Sequence, residues 1–166
     1  MSLASVLVDQ FSQEAAMTRA VLEAVPEDMF AWQPHQKSMT LGHLAGHIVE
    51  TPGWAARILE QDLDIADRGD DEEYHATDKA HMLAEFDRLV SAFCEAMEDR
   101  DDALMLETWT MRAGDKVIMS EPRHVALRTV TVHHVIHHRG QLSVYLRLLN
   151  VPVPSTYGPS ADSAAF

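Results

Sequence analysis

The chain has 166 residues, 46% of them hydrophobic, which predicts a single globular domain over residues 1–166 with a core that needs no disulfide or metal. Its formal net charge of −13 disfavours nucleic acid and anionic membrane surfaces as partners, because both repel an acidic protein. The single cysteine, Cys94, excludes an intramolecular disulfide and falls in a helical pattern as a small core residue.

The first 25 residues predict one amphipathic helix. Its apolar positions recur at the spacing of a helix face and stop before Pro26. The first ten residues lack the basic and long apolar regions of a secretory signal. No apolar stretch in the chain reaches the roughly 20 residues that span a bilayer. We therefore expect a cytoplasmic protein.

A second helix is predicted from residue 41 to about Leu63. Residues 26–40 precede it and predict a connection with room for one helical turn after Pro26. Either Ser38 or Thr40 is suited to cap this second helix. A proline and a glycine at positions 52 and 53 predict a kink or a local break inside it.

The second half of the chain predicts two more helices with a hairpin between them. Residues 64–76 are acidic and polar and predict a solvated loop, and a third helix follows from about Thr77 to Glu98. Residues 104–119 contain two β-prone runs around a Gly-Asp turn. Ser120 is predicted to cap a fourth helix that ends near Asn150. The pattern predicts an all-α four-helix bundle with a small β-hairpin between helices 3 and 4.

The fourth helix carries four histidines within six residues, at positions 133, 134, 137 and 138. Since helical residues advance by about 100° each, His134 and His138 lie about 40° apart in the middle of the apolar stripe. His133 and His137 lie towards its edge. A buried imidazole needs partners, and a shared metal ion would satisfy two inward imidazoles at once.

The second helix offers a third ligand. A helical wheel places His47 within its apolar stripe and His43 nearer the margin, so His43 is the rival ligand. A site of His47, His134 and His138 would be three neutral nitrogens with coordination positions left open, which is typical of catalytic metal sites. Glu50 is the nearest candidate for a general base. The alternative is that these histidines only pack in the bundle.

Two segments resemble the signatures of the DinB-like (DinB/YfiT) superfamily. The C-terminal signature is matched by His134-x-x-His137-His138-Arg139-Gly140-Gln141-Leu142, continuing through Tyr145 to Leu149 and ending Pro152-Val153-Pro154-x-x-Tyr157-Gly158. The second-helix signature is matched by Met39-Thr40-Leu41-Gly42-His43-Leu44-Ala45-Gly46-His47, followed by Pro52-Gly53-Trp54. The resemblance implies a four-helix bundle, commonly dimeric, with a divalent metal ion (nickel, zinc or iron) on three histidines. Carried over by position, these are His47, His134 and His138.

The resemblance also implies candidate functions. The superfamily includes thiol-dependent transferases, so we expect a metal-dependent enzyme of thiol S-transferase or hydrolase type, a homodimer that takes a small thiol or another small molecule. The alternative is a non-catalytic metal-binding protein of the stress response. No catalytic residue is assigned, and Gln141 and Tyr145 are the candidates for lining a pocket.

Gln141 and three further residues are expected to act beside the site, in packing or in the pocket wall. Gln141 either holds a hydrogen bond beside the metal site or ties the tail to the fourth helix. Arg139 points away from the site and is expected to pair with an acidic side chain or with the tail. Trp54 is expected in the core or in a pocket wall, and Asp162 in a cap or a bridge.

Overall fold

The computed structural model describes residues 2–66 and 74–163. Within them the chain forms seven α-helices and three strands. The helices are α1 (Leu3–Glu23), α2 (Leu41–Glu50), α3 (Trp54–Glu60), α4 (Lys79–Met97), α5 (Asp102–Leu106), α6 (Arg123–Leu127) and α7 (His134–Leu148), and the strands are β1 (Leu63–Asp64), β2 (Thr108–Ala113) and β3 (Lys116–Pro122). Most of the predicted acidic loop, residues 67–73, lies outside the described residues.

Helices α1, α2, α4 and α7 form the predicted four-helix bundle. Helix α1 packs against α4 and α7, and α2 packs against the same two helices. The four helices thus alternate around a common core, which takes apolar side chains from each of them. The fold class predicted from the sequence is therefore confirmed. No helix of the described segments is both long and apolar enough to cross a membrane.

The second helical segment begins and bends where the sequence predicted. The Thr40 hydroxyl accepts a hydrogen bond from the His43 backbone N–H at 3.2 Å and caps α2. A 3-10 turn at Thr51–Gly53 then separates α2 from α3. The predicted end near Leu63 is wrong, since α3 ends at Glu60 and Gln61 is extended. The Gln61 carbonyl instead accepts a hydrogen bond from the buried indole N–H of Trp109.

The small sheet contains the predicted hairpin and one further strand. Strands β2 and β3 pair antiparallel around Gly114, whose φ of +58° suits a residue without a Cβ. Strand β1 adds to β2 in parallel and is too short, at two residues, to have a sequence pattern. The predicted cap at Ser120 is wrong, because β3 continues through it and pairs it with Thr110.

The last helical segment is not a regular helix throughout. Residues Arg128–His133 form a π-helical turn between α6 and α7. A π-helical turn contains about one more residue than an α-helical turn. A helical wheel drawn at 100° per residue assumes α-helical turns, so the sequence predicted one unbroken helix here. From His134 onward the helix is regular.

A close backbone approach fixes one side of α2. A Cβ added at Gly46 would lie 1.9 Å from the Tyr74 carbonyl oxygen, and one at Gly42 would lie 2.6 Å from the Ala76 carbonyl oxygen. The Ala76 N–H also donates a hydrogen bond to the Gly42 carbonyl at 3.1 Å. Glycine at both positions therefore lets the segment before α4 cross α2 on the turns that carry His43 and His47.

Candidate metal centre

Three histidine side chains meet between α2 and α7. The Nε2 atom of His134 lies 2.8 Å from Nε2 of His47 and 3.1 Å from Nε2 of His138. One ring nitrogen from each of the three lies within 4.8 Å of the other two. The structure therefore brings together the three residues that the sequence selected as metal ligands.

The positions of these rings follow from two packed helices. His134 and His138 are four residues apart in the regular part of α7, so both project from the same side. Helix α2 packs against α7 and directs His47 at this pair. His138 is 8% exposed, and the other two rings are half-buried.

Two of the rings are held at their other nitrogen by a residue three positions along the same helix. His47 Nδ1 lies 3.0 Å from Oε1 of Glu50, and His138 Nδ1 lies 2.7 Å from Oε1 of Gln141. A carboxylate and an amide oxygen accept hydrogen bonds, so each ring donates from Nδ1–H. A neutral ring that is protonated on Nδ1 keeps a free lone pair on Nε2.

The two contacts between these nitrogens have too few hydrogens for two hydrogen bonds. With neutral rings, only His134 Nε2 is able to carry a hydrogen between the three nitrogens, and one hydrogen bonds to one neighbour. At least one nitrogen–nitrogen contact of 3.1 Å or less then joins two nitrogens with no hydrogen between them. A cation among the three lone pairs removes this conflict, so the residues fit a metal ion.

The surroundings keep two of the imidazoles neutral. Burial, followed by the charges that His138 and His47 would carry, lowers the pKa of His134 from 6.5 to about 4. Burial also lowers the pKa of His138, against the opposing effect of its hydrogen bond to Gln141. A metal ion binds the deprotonated imidazole, so near neutral pH these two rings are already in the binding form.

An apolar cavity opens beside the histidines. Its volume is about 310 Å³, and it is lined by His47, Trp54, Met111, Met119, Thr129, Val130 and His134. Trp54 stands in the wall, as the sequence predicted. The two methionines of the hairpin and the residues of the π-turn were missed, because only the folded chain carries them to the histidines.

The remaining candidates lie outside the group of three. The His43 ring lies 4.4 Å from the His75 ring and outside the group of three. His133 and His137 are exposed. The Tyr145 hydroxyl donates to the Met39 carbonyl at 3.2 Å, and its ring packs edge-on against Trp32.

Glu50, selected from the sequence as a candidate base, has both carboxylate oxygens in hydrogen bonds. Besides the His47 contact, Oε2 accepts from the Tyr74 backbone N–H at 3.4 Å. Its position as a partner of His47 was not recognised from the sequence. The i, i+3 spacing that it shares with the His138 and Gln141 pair could have indicated it.

Arg139 and Asp162, which the sequence assigned to packing, hold the C-terminal tail against the bundle. The Arg139 guanidinium is 3% exposed and lies 2.7 Å from Oε2 of Glu14. The Tyr157 ring lies 5.1 Å from that guanidinium, and its hydroxyl donates to the same carboxylate. Asp162 pairs with Arg147 and accepts from the Val153 N–H. Arg139 thus contacts both an acidic side chain and the tail.

Comparison with known proteins gives a consistent picture. The sequence matches the DinB family over residues 1–165. It is 24% identical over 156 residues to the uncharacterized protein YrdA of Bacillus subtilis (strain 168). The alignment covers 92% of this chain and 86% of that protein.

Two solved structures share the fold. A DinB-like protein from Bacillus cereus ATCC 10987 superposes with a TM-score of 0.71 at 20% identity, covering 91% of this chain and 95% of the other. The DinB-like protein YjoA from Bacillus subtilis superposes with a TM-score of 0.67 at 16% identity, covering 90% and 96%. At these identities the likeness concerns the fold.

Proposed function

Because the chain belongs to the DinB family, we propose that it is a divalent-metal protein and that His47, His134 and His138 are its ligands. The observation that carries the proposal is the meeting of three Nε2 atoms with too few hydrogens to bond one another. If the histidines only packed, this conflict would remain in a partly buried site, where unsatisfied polar contacts are costly.

The spacing of the nitrogens supports one shared ion. Two ligands at about 2.1 Å from a metal lie about 3.0 Å apart at a right angle and about 3.4 Å apart at a tetrahedral angle. The nitrogen separations of 2.8 and 3.1 Å are close to the first of these values. Nickel, zinc and iron all bind imidazole, so three histidine ligands do not distinguish between them. Elemental analysis identifies the ion.

We propose further that the site belongs to a metal-dependent enzyme of thiol S-transferase or hydrolase type. A divalent ion on three neutral ligands would supply a positive charge that favours the thiolate or hydroxide form of a reactant. Glu50 and Gln141 would keep the ligand rings oriented, and the adjoining apolar cavity would exclude water from the reacting groups. The net charge of −13 supports a small-molecule substrate rather than a nucleic acid.

One observation favours the second candidate, a non-catalytic metal-binding protein of the stress response. Both oxygens of Glu50 are already in hydrogen bonds to His47 and to the Tyr74 backbone. A carboxylate held in this way is a poor proton acceptor for a substrate. Turnover of thiol and ester panels by the metal-loaded protein separates the two candidates, since the second predicts none.

We also propose a homodimer. Val144 and Leu148 lie one turn apart on α7, and each is 57% exposed. Adjacent exposed apolar side chains suit a contact with a second copy. Sedimentation of the wild type and of a Val144→Asp variant tests the proposal, which predicts a dimer that the charge dissociates. A monomeric wild type would contradict it.

Metal content tests the central part of the proposal. Protein purified without a polyhistidine tag is expected to hold about one divalent ion per chain, and His138→Ala is expected to lose it. The matched control is His137→Ala, because His137 is the adjacent histidine on the exposed side of the helix. Full metal content in His138→Ala, or metal-free wild type after growth with nickel, zinc and iron, would contradict the assignment.

A further inference from the structure

The cavity beside the histidines has a mostly apolar wall. Four of its lining side chains are apolar, namely Trp54, Met111, Met119 and Val130, and none of the lining residues is charged when the histidines are neutral. Besides the two histidines, the polar groups of the lining side chains are the Thr129 hydroxyl and the Trp54 indole N–H. The cavity thus offers contact area but few hydrogen bonds to a bound molecule.

The hairpin is built to supply this wall. Met111 on β2 pairs directly with Met119 on β3, so both side chains leave the same face of the hairpin. A register shift follows this pair, and the next two residues of β3, Ile118 and Val117, are 46% and 45% exposed. The methionines are half-buried against the core, and methionine adapts its shape to a bound apolar group.

The π-turn supplies another part of the wall. Thr129 and Val130 lie within Arg128–His133, one turn before the ligand His134. A π-turn widens the helix locally and is frequently found at functional sites. The π-turn therefore contributes two lining residues to the cavity and directly precedes His134.

Size and polarity together limit the occupant. A dry apolar cavity of about 150 Å³ holds benzene, and this cavity has a volume of about 310 Å³. The cavity is partly open to solvent, so this volume has room for one ring with a short substituent, or a branched aliphatic chain, as one part of a larger molecule. A sugar or a charged chain would lose its hydrogen bonds to water without replacement, which is costly.

We propose that this cavity is the subsite for a compact, uncharged, apolar group of the substrate, and that Met111 and Met119 determine the preference for it. The assignment of this group to a substrate rests on the proposed function, since the substrate would reach the three-histidine site through its polar end. The cavity itself is a property of the fold and is testable with or without metal.

The first experiment probes the cavity alone. Toluene binding to chelator-treated and to zinc-treated full-length protein is measured by saturation-transfer NMR, for the wild type and for Met119→Gln. The variant keeps the side-chain length and adds a polar amide, so we expect toluene to bind about tenfold more weakly. Ile118→Gln makes a similar change on the exposed side of β3 and is expected to bind toluene like the wild type.

The second experiment adds the metal. Cobalt-loaded protein is titrated with phenylmethanethiol and with 2-hydroxyethanethiol, which share a thiol and differ in the polarity of the rest, and the cobalt absorption reports binding. We expect phenylmethanethiol to bind at least about tenfold more tightly, and Met119→Gln to remove most of that difference.

The two experiments separate the subsite from the metal proposal. If toluene binds and Met119→Gln weakens it while no metal is retained, the subsite stands and the metal assignment fails. If metal is retained but toluene does not bind, or binds equally to wild type and Met119→Gln, the subsite is refuted and the metal assignment stands. Equal affinity of the two thiols for cobalt-loaded wild type would also refute the subsite.

Discussion

Replacing Glu50 by glutamine is expected to weaken metal binding without removing a ligand. Glu50 Oε1 accepts a hydrogen bond from His47 Nδ1 at 3.0 Å, and the two side chains are 22% and 20% exposed. A hydrogen bond to a charged group contributes about 1.5–3 kcal/mol and a neutral one about 1 kcal/mol. The difference of about 0.5–2 kcal/mol corresponds to an affinity loss of about 2- to 30-fold, with tenfold near the middle of that range.

A competition titration with a chromophoric chelator measures this loss directly. Glu50→Gln is expected to bind zinc about tenfold more weakly, and Glu50→Ala up to about 100-fold more weakly, because the ring then loses its orienting partner. Glu85→Gln is the matched control, since Glu85 has a similar exposure of 26% but pairs with Arg88. It removes one negative charge without touching the three histidines.

The Glu85→Gln control separates a loss of the hydrogen bond to His47 from a loss of net charge. If Glu50→Gln and Glu85→Gln weaken zinc binding equally, the effect comes from net charge, and the orienting role of Glu50 is refuted. Wild-type affinity in Glu50→Gln would refute it as well. Thermal unfolding of the metal-free variants is measured in parallel, because Glu50 also accepts a hydrogen bond from the Tyr74 N–H.

Three further predictions concern stability. Because the pKa of His134 falls from 6.5 to about 4 on folding, the unfolded chain binds a proton in this range that the folded chain does not, so the urea midpoint of metal-free protein should fall from pH 6.5 towards pH 4. An unchanged slope in His134→Gln would contradict this cause. Gly46→Ala should destabilise the fold by about 1–3 kcal/mol, since the new Cβ would lie 1.9 Å from a carbonyl oxygen. Gly140→Ala is the control and should be neutral or stabilising, because a Cβ there meets open space. Equal melting temperatures of the two variants would refute the close approach at Gly46. Arg139→Met leaves the 12%-exposed Glu14 carboxylate without its cation and should cost about 3–5 kcal/mol in urea unfolding, and a loss below about 1 kcal/mol would contradict a buried ion pair.

The inward position of each of the three histidines was predictable because it follows from the local helical pattern. His134 and His138 lie in a regular helix, where a spacing of four residues fixes a common face. His47 needed one further step, since its inward position follows from the apolar stripe of its own helix. Whether the two helix faces meet depends on how the helices pack. The sequence indicated this contact only through the inward histidines on both helices and through the resemblance to a family.

The surroundings of the trio were harder to predict because they depend on contacts distant in sequence. Met111 and Met119 reach the site only when the hairpin folds back over the bundle. Strand β1 has two residues and exists only because β2 offers it an edge. The π-turn before His134 contacts α1 and α3. A helical wheel drawn for a regular helix does not predict it.

The most direct test of the three-histidine assignment is an anomalous-difference map from crystals of untagged protein. We expect one peak, about 2.1 Å from the Nε2 atoms of His47, His134 and His138, with an absorption edge that identifies the metal. A peak bound instead by His43 and His75, or metal-soaked crystals with no peak among the three Nε2 atoms, would contradict it.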